Sequence, residues 1–245
     1  MSGRQSLPTG RFEPSDWQDR GDPERTLSVE QARQFYDWFG AWQDWQWFYE
    51  DAVVSAMVEE GDFQNAKSVL EFGCGTGRFE RLLSEVLPQT CRYVGVDVST
   101  TMVRLAQQRL QPWAPRAEVR QSDGSCSFVE EDFSVDRVVS TYVLDLMAPE
   151  QIRLFLEEAH QVLTADGALC LVSLADGVGP VGTLVSRMWR KIHALSPYLV
   201  GGCPPLDLTA FVKHADWQIR YSRLIRSFGL TSQVMIASRK DRPGQ

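Results

Sequence analysis

The sequence predicts an α/β chain built on a doubly wound, mostly parallel sheet. From Lys67 onward, short apolar runs alternate with amphipathic stretches, the pattern of strands and crossover helices. The first apolar run leads into a cluster of glycines, as a strand does when it turns into a helix over a ligand. Near the C-terminus two strand-like runs follow one another directly and read as an antiparallel hairpin at the sheet edge. A chain of 245 residues with 43% hydrophobic and 23% charged residues can bury this as one domain.

Taken in order, residues 1–27 are rich in Pro, Gly, Arg, Asp and Ser without periodicity and read as a mobile arm. Residues 28–62 read as a helical lid. Ser28 and Gln31 stand in capping-box spacing, so a helix opens near Ser28. Phe35, Trp38, Phe39, Trp42, Trp45 and Tyr49 share one helical arc of about 120°, and Gly40 is placed to divide the run into two helices. Nine aromatic residues fall between Phe35 and Tyr49, including four of the eight tryptophans, so an apolar surface is buried there.

Residues 67–174 carry the sheet. Lys67–Phe72 is the first strand, Gly77–Leu87 a helix stopped before Pro88, Arg92–Val98 the second strand and Thr100–Leu110 a helix closed by Pro112. Ala117–Gln121 and Val135–Thr141 are strands, and Glu150–Leu163 is an amphipathic helix. After the turn Asp166-Gly167 comes the strand Ala168–Leu174. Residues 175–245 form an insertion and the closing hairpin. Gly182–Leu195 and Leu206–Lys213 read as helices, and Trp217–Arg226 and Ser232–Arg239 as strands around Phe228-Gly229-Leu230.

Composition excludes several classes. The net charge of −7 argues against a general nucleic-acid binder. No run of 18 apolar residues spans a membrane, and the stretch up to Glu13 lacks the apolar core of a secretory signal. Five scattered cysteines without a C-x-x-C pair read as reduced thiols of a cytoplasmic protein, with no metal site. Charge is uneven. Residues 175–245 carry ten Lys/Arg against four Asp/Glu, net +6, leaving −13 for residues 1–174. That basic third either balances an acidic face or meets an anionic substrate or membrane surface, so peripheral membrane contact stays open. The oligomeric state is not legible.

The motif with chemical content is Glu71-Phe72-Gly73-Cys74-Gly75-Thr76-Gly77-Arg78-Phe79. Glycines at alternate positions let backbone lie against a ligand, and the helix behind supplies unpaired N–H groups. A dinucleotide fingerprint needs a small residue where Arg78 stands, and Glu71 disfavours a phosphate while favouring an ammonium or sulfonium. Asp97 ends the second strand, where an acid can accept both hydroxyls of a ribose. Gln121-Ser122-Asp123-Gly124 ends the third, and Met102 can pack on a purine face.

With Val94-Gly95-Val96-Asp97, Gln121-Ser122-Asp123-Gly124 and Asp136-Arg137-Val138-Val139, this motif resembles the class I S-adenosylmethionine-dependent methyltransferases over about residues 67–174. The resemblance implies a Rossmann-like, seven-stranded sheet and S-adenosylmethionine as cofactor, with S-adenosylhomocysteine as product. It implies Glu71, Gly73, Gly75 and the Cys74 backbone around the methionine part, with Gly77 completing the loop. Asp97 would take the ribose, Val98 and Met102 the adenine faces, Asp123 and Gly124 the adenine amino group, and Tyr142 the neighbourhood of the methyl. Within the family the likeness is to small-molecule enzymes of the quinone C-methyltransferase and phospholipid N-methyltransferase type, through Gly201–Leu208 and Phe228–Leu230.

The expected function is therefore methyl transfer to an N, O or C nucleophile of a small molecule by in-line displacement. The alternative is a cofactor-binding regulatory or lipid-surface protein without turnover. His193 and Asp145 are the candidate bases, while His160 reads as structural and His214 as surface. Tyr36, Trp47, Tyr49 and His193 are the candidate acceptor contacts.

Overall fold

A computed structural model describes residues 28–39, 47–83, 85–130, 134–195, 204–213, 216–227 and 229–240. The arm at 1–27, Trp42, Trp45, Cys203 and His214 lie outside the described residues, as do the side chains of Trp38, Phe39, Trp47 and Tyr49.

Two helices come first, α1 (Val29–Phe39) and α2 (Trp47–Glu60). The remaining elements run β1 (Ser68–Phe72), α3 (Arg78–Leu83), β2 (Arg92–Asp97), α4 (Thr100–Leu110), β3 (Ala117–Gln121), β4 (Val135–Thr141), α5 (Pro149–Val162), β5 (Leu163–Ala175), α6 (Gly179–Leu195), α7 (Leu208–Lys213), β6 (Trp217–Ser227) and β7 (Leu230–Arg239). The seven strands form one sheet in the order β3-β2-β1-β4-β5-β7-β6. The first five are parallel, and β7 lies antiparallel to both β5 and β6. The doubly wound sheet with its antiparallel end is thus as expected.

Alternation along the strands sorts side chains into two layers. Val69, Tyr93, Cys170, Val172 and Val234 pack beneath α2, α3 and α4 with Met57, Phe79 and Ala106. Leu70, Phe72, Val138, Leu169 and Met235 face α5 and α7 with Phe155 and Phe211. Phe72, Phe128 and Phe155 form an aromatic cluster with centroids 5.1–6.0 Å apart. The expected capping box closes α1: Gln31 N–H donates to Ser28 Oγ at 3.2 Å, and Ser28 N–H to Gln31 Oε1 at 2.9 Å.

Several boundaries differ from the expectation for identifiable reasons. Helix α3 ends at Leu83, not Leu87, where Val86 and Leu87 fold back as a turn onto the Leu83 carbonyl. Strand β5 starts at Leu163, not Ala168. Its pairing with β4 jumps from Leu163 to Ala168, so the expected turn at Asp166-Gly167 is absorbed as an irregularity within the strand. Helix α6 opens at Gly179, three residues early, with Pro180 at a position where its missing N–H costs nothing. Helix α7 opens at Leu208 because Asp207 caps it, Oδ1 accepting from Thr209 N–H at 3.0 Å. The 28–62 segment also divides by role: α2 packs against β5, β6 and β7 as core, while α1 packs on α4.

One buried cation ties the α2–β1 connection to the sheet. Arg137, 7% exposed, donates Nε to the Gly61 carbonyl at 2.6 Å and Nη2 to the Asp62 carbonyl at 2.8 Å. Its third nitrogen donates to the Asp136 carbonyl at 2.9 Å. Removing the guanidinium takes the donor from all three carbonyls, and the contact to the Gly61 carbonyl is buried. Arg137→Ala is expected to lower the unfolding free energy by about 2–4 kcal/mol in urea titration. A loss within the error of the titration would show that the latch is not structural.

Candidate functional site

The strand order reverses between β1 and β4, and the carboxyl ends of the parallel strands open there, the position at which such sheets bind ligands. A cavity of about 830 Å³, mouth included, occupies this crevice. Gly73 and Gly75 line it after β1, Val96, Asp97 and Val98 at the end of β2, and Ser122 and Gly124 after β3. Thr141 and Tyr142 lie at the end of β4, Leu146 and Met147 beyond it, and Met102 on α4. Val29, Ala32 and Tyr36 of α1 close the top.

The loop after β1 owes its path to its glycines at two points. Gly73 has φ +78°, and a Cβ there would lie 2.2 Å from Val143 Cγ2. Gly77, φ +72°, lets α3 approach α4 so closely that a Cβ would lie 3.2 Å from the Ala106 Cα. Gly73 and Cys74 N–H both donate to the Val96 carbonyl, at 2.8 and 3.0 Å, strapping the loop to β2.

Asp97 fixes the rest. Its Oδ2 accepts from Gly75 N–H at 2.9 Å and its Oδ1 from Ser99 N–H at 2.8 Å. Burial pushes its carboxyl up to about 6, while those two backbone donors pull it down. Ser99 caps α4 by accepting from Met102 N–H at 3.1 Å, and donates its hydroxyl to Asp37 Oδ1 at 2.6 Å. Asp37 also accepts from Thr101 N–H at 3.0 Å. These bonds hold its carboxyl below the usual value against partial burial, so α1 is clasped to α4 by an ionised acid at a helix start. At the other end of α1, Val29 Cγ1 lies 2.2 Å from where a Cβ on Gly124 would sit.

Of the sequence-predicted residues, Gly73, Gly75, Asp97, Val98, Met102, Gly124, Tyr142 and Tyr36 therefore meet in one cavity. Tyr142 does so with φ +55°, its hydroxyl 2.8 Å from Ser232 Oγ on β7. Glu71 does not line the cavity. Strand alternation turns it to the α3 side, where it is 1% exposed and Tyr93 O–H donates to its Oε2 at 2.5 Å. Burial raises its carboxyl to about 8, with Glu80 adding to the rise. Cys74 lies beneath the loop with its thiol raised well above the usual value by burial, and Gly77 serves packing.

Asp123 is exposed and accepts from Ser125 N–H at 2.8 Å, leaving Ser122 and Gly124 at the cavity wall. Asp145 is 2% exposed but faces away, Oδ2 accepting from Leu174 N–H at 3.2 Å, and burial lifts it to about 7. His193 sits on the inward face of α6, outside the cavity lining. His160 packs edge-on against Trp217, as its structural reading expected. Sequence reasoning missed Asp37, Tyr93 and the lining residues Val29, Ala32 and Thr141. The contact of Asp37 with Ser99 spans 62 residues, which no local pattern encodes.

Comparison with known proteins agrees with this geometry. Residues 69–167 match the methyltransferase domain family. A carboxy-S-adenosyl-L-methionine synthase of Trichodesmium erythraeum is 31% identical over 125 residues, 49% of this chain and 48% of that protein. The matched stretch thus spans about half the length of that curated relative. A methyltransferase structure from Methanosarcina mazei superposes with TM-score 0.59 at 16% identity, over 76% of this chain and 98% of that one. Magnesium protoporphyrin IX methyltransferase from Synechocystis, crystallised with S-adenosylhomocysteine, superposes with TM-score 0.56 at 21% identity over 78% and 81%.

Two predictions follow from the geometry. A carboxyl raised in the folded state favours its neutral form there, so the stability Glu71 contributes is full below its ordinary value of 4.5 and is lost as pH rises through about 8. Glu71→Gln keeps an acceptor for Tyr93 and cannot ionise. Its melting temperature is expected to gain on wild type by several degrees from pH 5 to pH 9. Glu80 and Asp145, both raised to about 7, leave a residual slope. A difference in melting temperature that stays constant with pH would refute the assignment. Separately, Asp37→Ala is expected to speed amide exchange across Val29–Phe39 by about tenfold or more while the sheet stays protected. Unchanged exchange would mean the clasp holds nothing.

Proposed function

We propose that this chain transfers a methyl group from S-adenosylmethionine to a small, largely apolar acceptor: its sheet has the fold of solved S-adenosylmethionine-dependent methyltransferases, and residues 69–167 match the methyltransferase domain family. One observation carries the reading: the glycine loop, the Asp97 carboxyl and the Met102 side chain share one cavity whose far end is apolar and capped by α1.

The residues suit such a cofactor. Among the described lining residues there is a carboxylate and no Lys or Arg, which favours a cation over a phosphate or carboxylate. That charge balance supports the plain methyl sulfonium over the carboxylated form named for the relatives. Asp97 would accept from the ribose hydroxyls with lone pairs left over by Gly75 and Ser99. Gly73 and Gly75 would let backbone lie along the methionine part, Val98 and Met102 would sandwich the adenine, and Ser122 and Gly124 would meet its edge.

When bound, the cofactor supplies an electron-poor methyl on a sulfonium leaving group. The chain aligns, dries and screens. Tyr142, pinned through its hydroxyl to Ser232, and Thr141 would set the line of approach at the end of β4. Leu146, Met147 and Tyr36 exclude water from that line. The ionisable side chains among the described lining residues are Asp97, Tyr36 and Tyr142, so the site favours an acceptor that arrives as a free amine or an already ionised group.

Calorimetry with S-adenosylhomocysteine tests the cofactor half. Saturable binding is expected, weakened about tenfold or more in Asp97→Asn, which keeps the carbonyl oxygen but loses the second acceptor. No saturable binding would sink the reading. Radiolabelled methyl transfer to a panel of amines, phenols and quinols tests the acceptor half. Binding without turnover across the panel favours the cofactor-binding protein instead.

A further inference from the structure

We propose that helix α6 docks the protein onto anionic membrane surfaces through an outward face that is apolar on one side and basic on the other. Helix α6 runs 17 residues from Gly179 to Leu195 and contains no acidic residue. Its inward side holds Gly182 and His193, both buried, and packs on β7. At 100° per residue, Leu184, Leu195 and Met188 fall within an arc of about 40°, with Lys191 and Arg187 on the flank within about 60° more. These apolar side chains are not covered: Leu184 is 69% exposed, Met188 57% and Leu195 84%. Val178, just before the helix, is 49% exposed.

Exposed apolar residues in register on one helix face mark a contact surface, and the cations beside them say what kind. Arg187 and Lys191 are exposed, and among the described residues neither has an ion-pair partner. Arg190 differs: it is drawn to the helix margin by Asp176, Nη2 to Oδ2 at 2.6 Å. The basic rim continues onto the edge strand, where Arg223 and Arg226 are exposed and Arg226 Nη1 donates to the Val178 carbonyl at 3.4 Å. Beside these cations Leu224, 46% exposed, repeats the pairing of apolar and basic groups.

Charge complementarity selects an anionic lipid surface. The face lies in the segment of net +6, while residues 1–174 carry −13. A negative surface repels most of the molecule and attracts this side, so the dipolar distribution orients the approach and the apolar arc then enters the headgroup region. No described helix is long and apolar enough to cross a bilayer, so the contact is peripheral.

The experiment is co-sedimentation of the full chain with phosphatidylcholine vesicles, with and without about a third phosphatidylglycerol. Expected is at least about tenfold stronger association with the anionic vesicles, falling steeply with added salt. Leu184→Glu with Met188→Glu should abolish association at low salt. Arg187→Glu with Lys191→Glu should remove the preference for anionic vesicles. Each variant should keep the wild-type melting temperature and S-adenosylhomocysteine affinity, which separates this result from a failure of the cofactor reading. Lack of association by wild type, or equal association by the apolar variant, overturns the proposal. So does a wild-type dimer in light scattering that the Leu184→Glu, Met188→Glu variant converts to monomer, because the face then meets a second copy.

Discussion

The site depends on one carboxylate. Asp97 accepts from Gly75 on one oxygen and from Ser99 on the other, so the loop after β1 and the start of α4 are referenced to the same group. Each donor is a backbone amide at a turn that has no partner within its own element, and a charged acceptor is the strongest way to satisfy it. Ser99 passes the constraint onward, capping α4 and binding Asp37 of α1. Floor, wall and roof of the cavity are therefore placed relative to one another by a chain of bonds that starts at Asp97.

The electrostatic character of the crevice follows from what lies beneath. Glu71 is buried under the loop, with Glu80 behind it, and its charge and that of Asp97 each disfavour the other. Such groups are expensive to ionise in a dry layer, so Glu71 rests neutral at ordinary pH while the Tyr93 hydroxyl donates to its Oε2. The ground under the loop thus carries buried acids, while Arg109 at the loop's flank donates Nη1 to Thr76 Oγ1 at 2.7 Å. The described residues that line the cavity include no Lys or Arg to meet a phosphate, whereas a sulfonium or ammonium meets the Asp97 carboxylate there.

How far this was legible in the sequence depends on the range of the contact. Strand and helix identities were legible because apolar periodicity is local, and so was the Ser28–Gln31 cap. The glycine loop was legible because close backbone approach demands missing Cβ atoms. Departures from the expected placement cluster where a local signal met a longer-range one. Asp166-Gly167 is good turn chemistry and residues 164–167 appear in neither neighbour's register, yet the pairing of Leu163 and Ala168 with β4 keeps the stretch within β5. Glu71 was expected at the ligand because of its motif position, but the pleat of β1 sends its side chain to the opposite layer. Asp123 stands in the right motif and turns outward to cap its own loop through Ser125. The aromatic segment mixes both cases: its composition said that something is buried, but only tertiary packing assigns α1 to the cavity and α2 to the core.

That division has a mechanical consequence. Helix α2 buries Val53 and Met57 completely against the sheet, so it opens only with the domain. Helix α1 is held instead by the Asp37 bonds, by the close approach of Val29 to Gly124, and by its contact with α4. Such an element sits at the low end of local stability, and its release would uncover the cavity wall formed by Val29, Ala32 and Tyr36. A ligand filling the cavity adds contacts to those three side chains and so stabilises the closed position of α1. By linkage, whatever loosens α1 weakens the ligand in proportion to the closed fraction that is lost. The acid at Asp37 is thus coupled to ligand affinity without touching the ligand, because the helix it clasps is part of the binding surface.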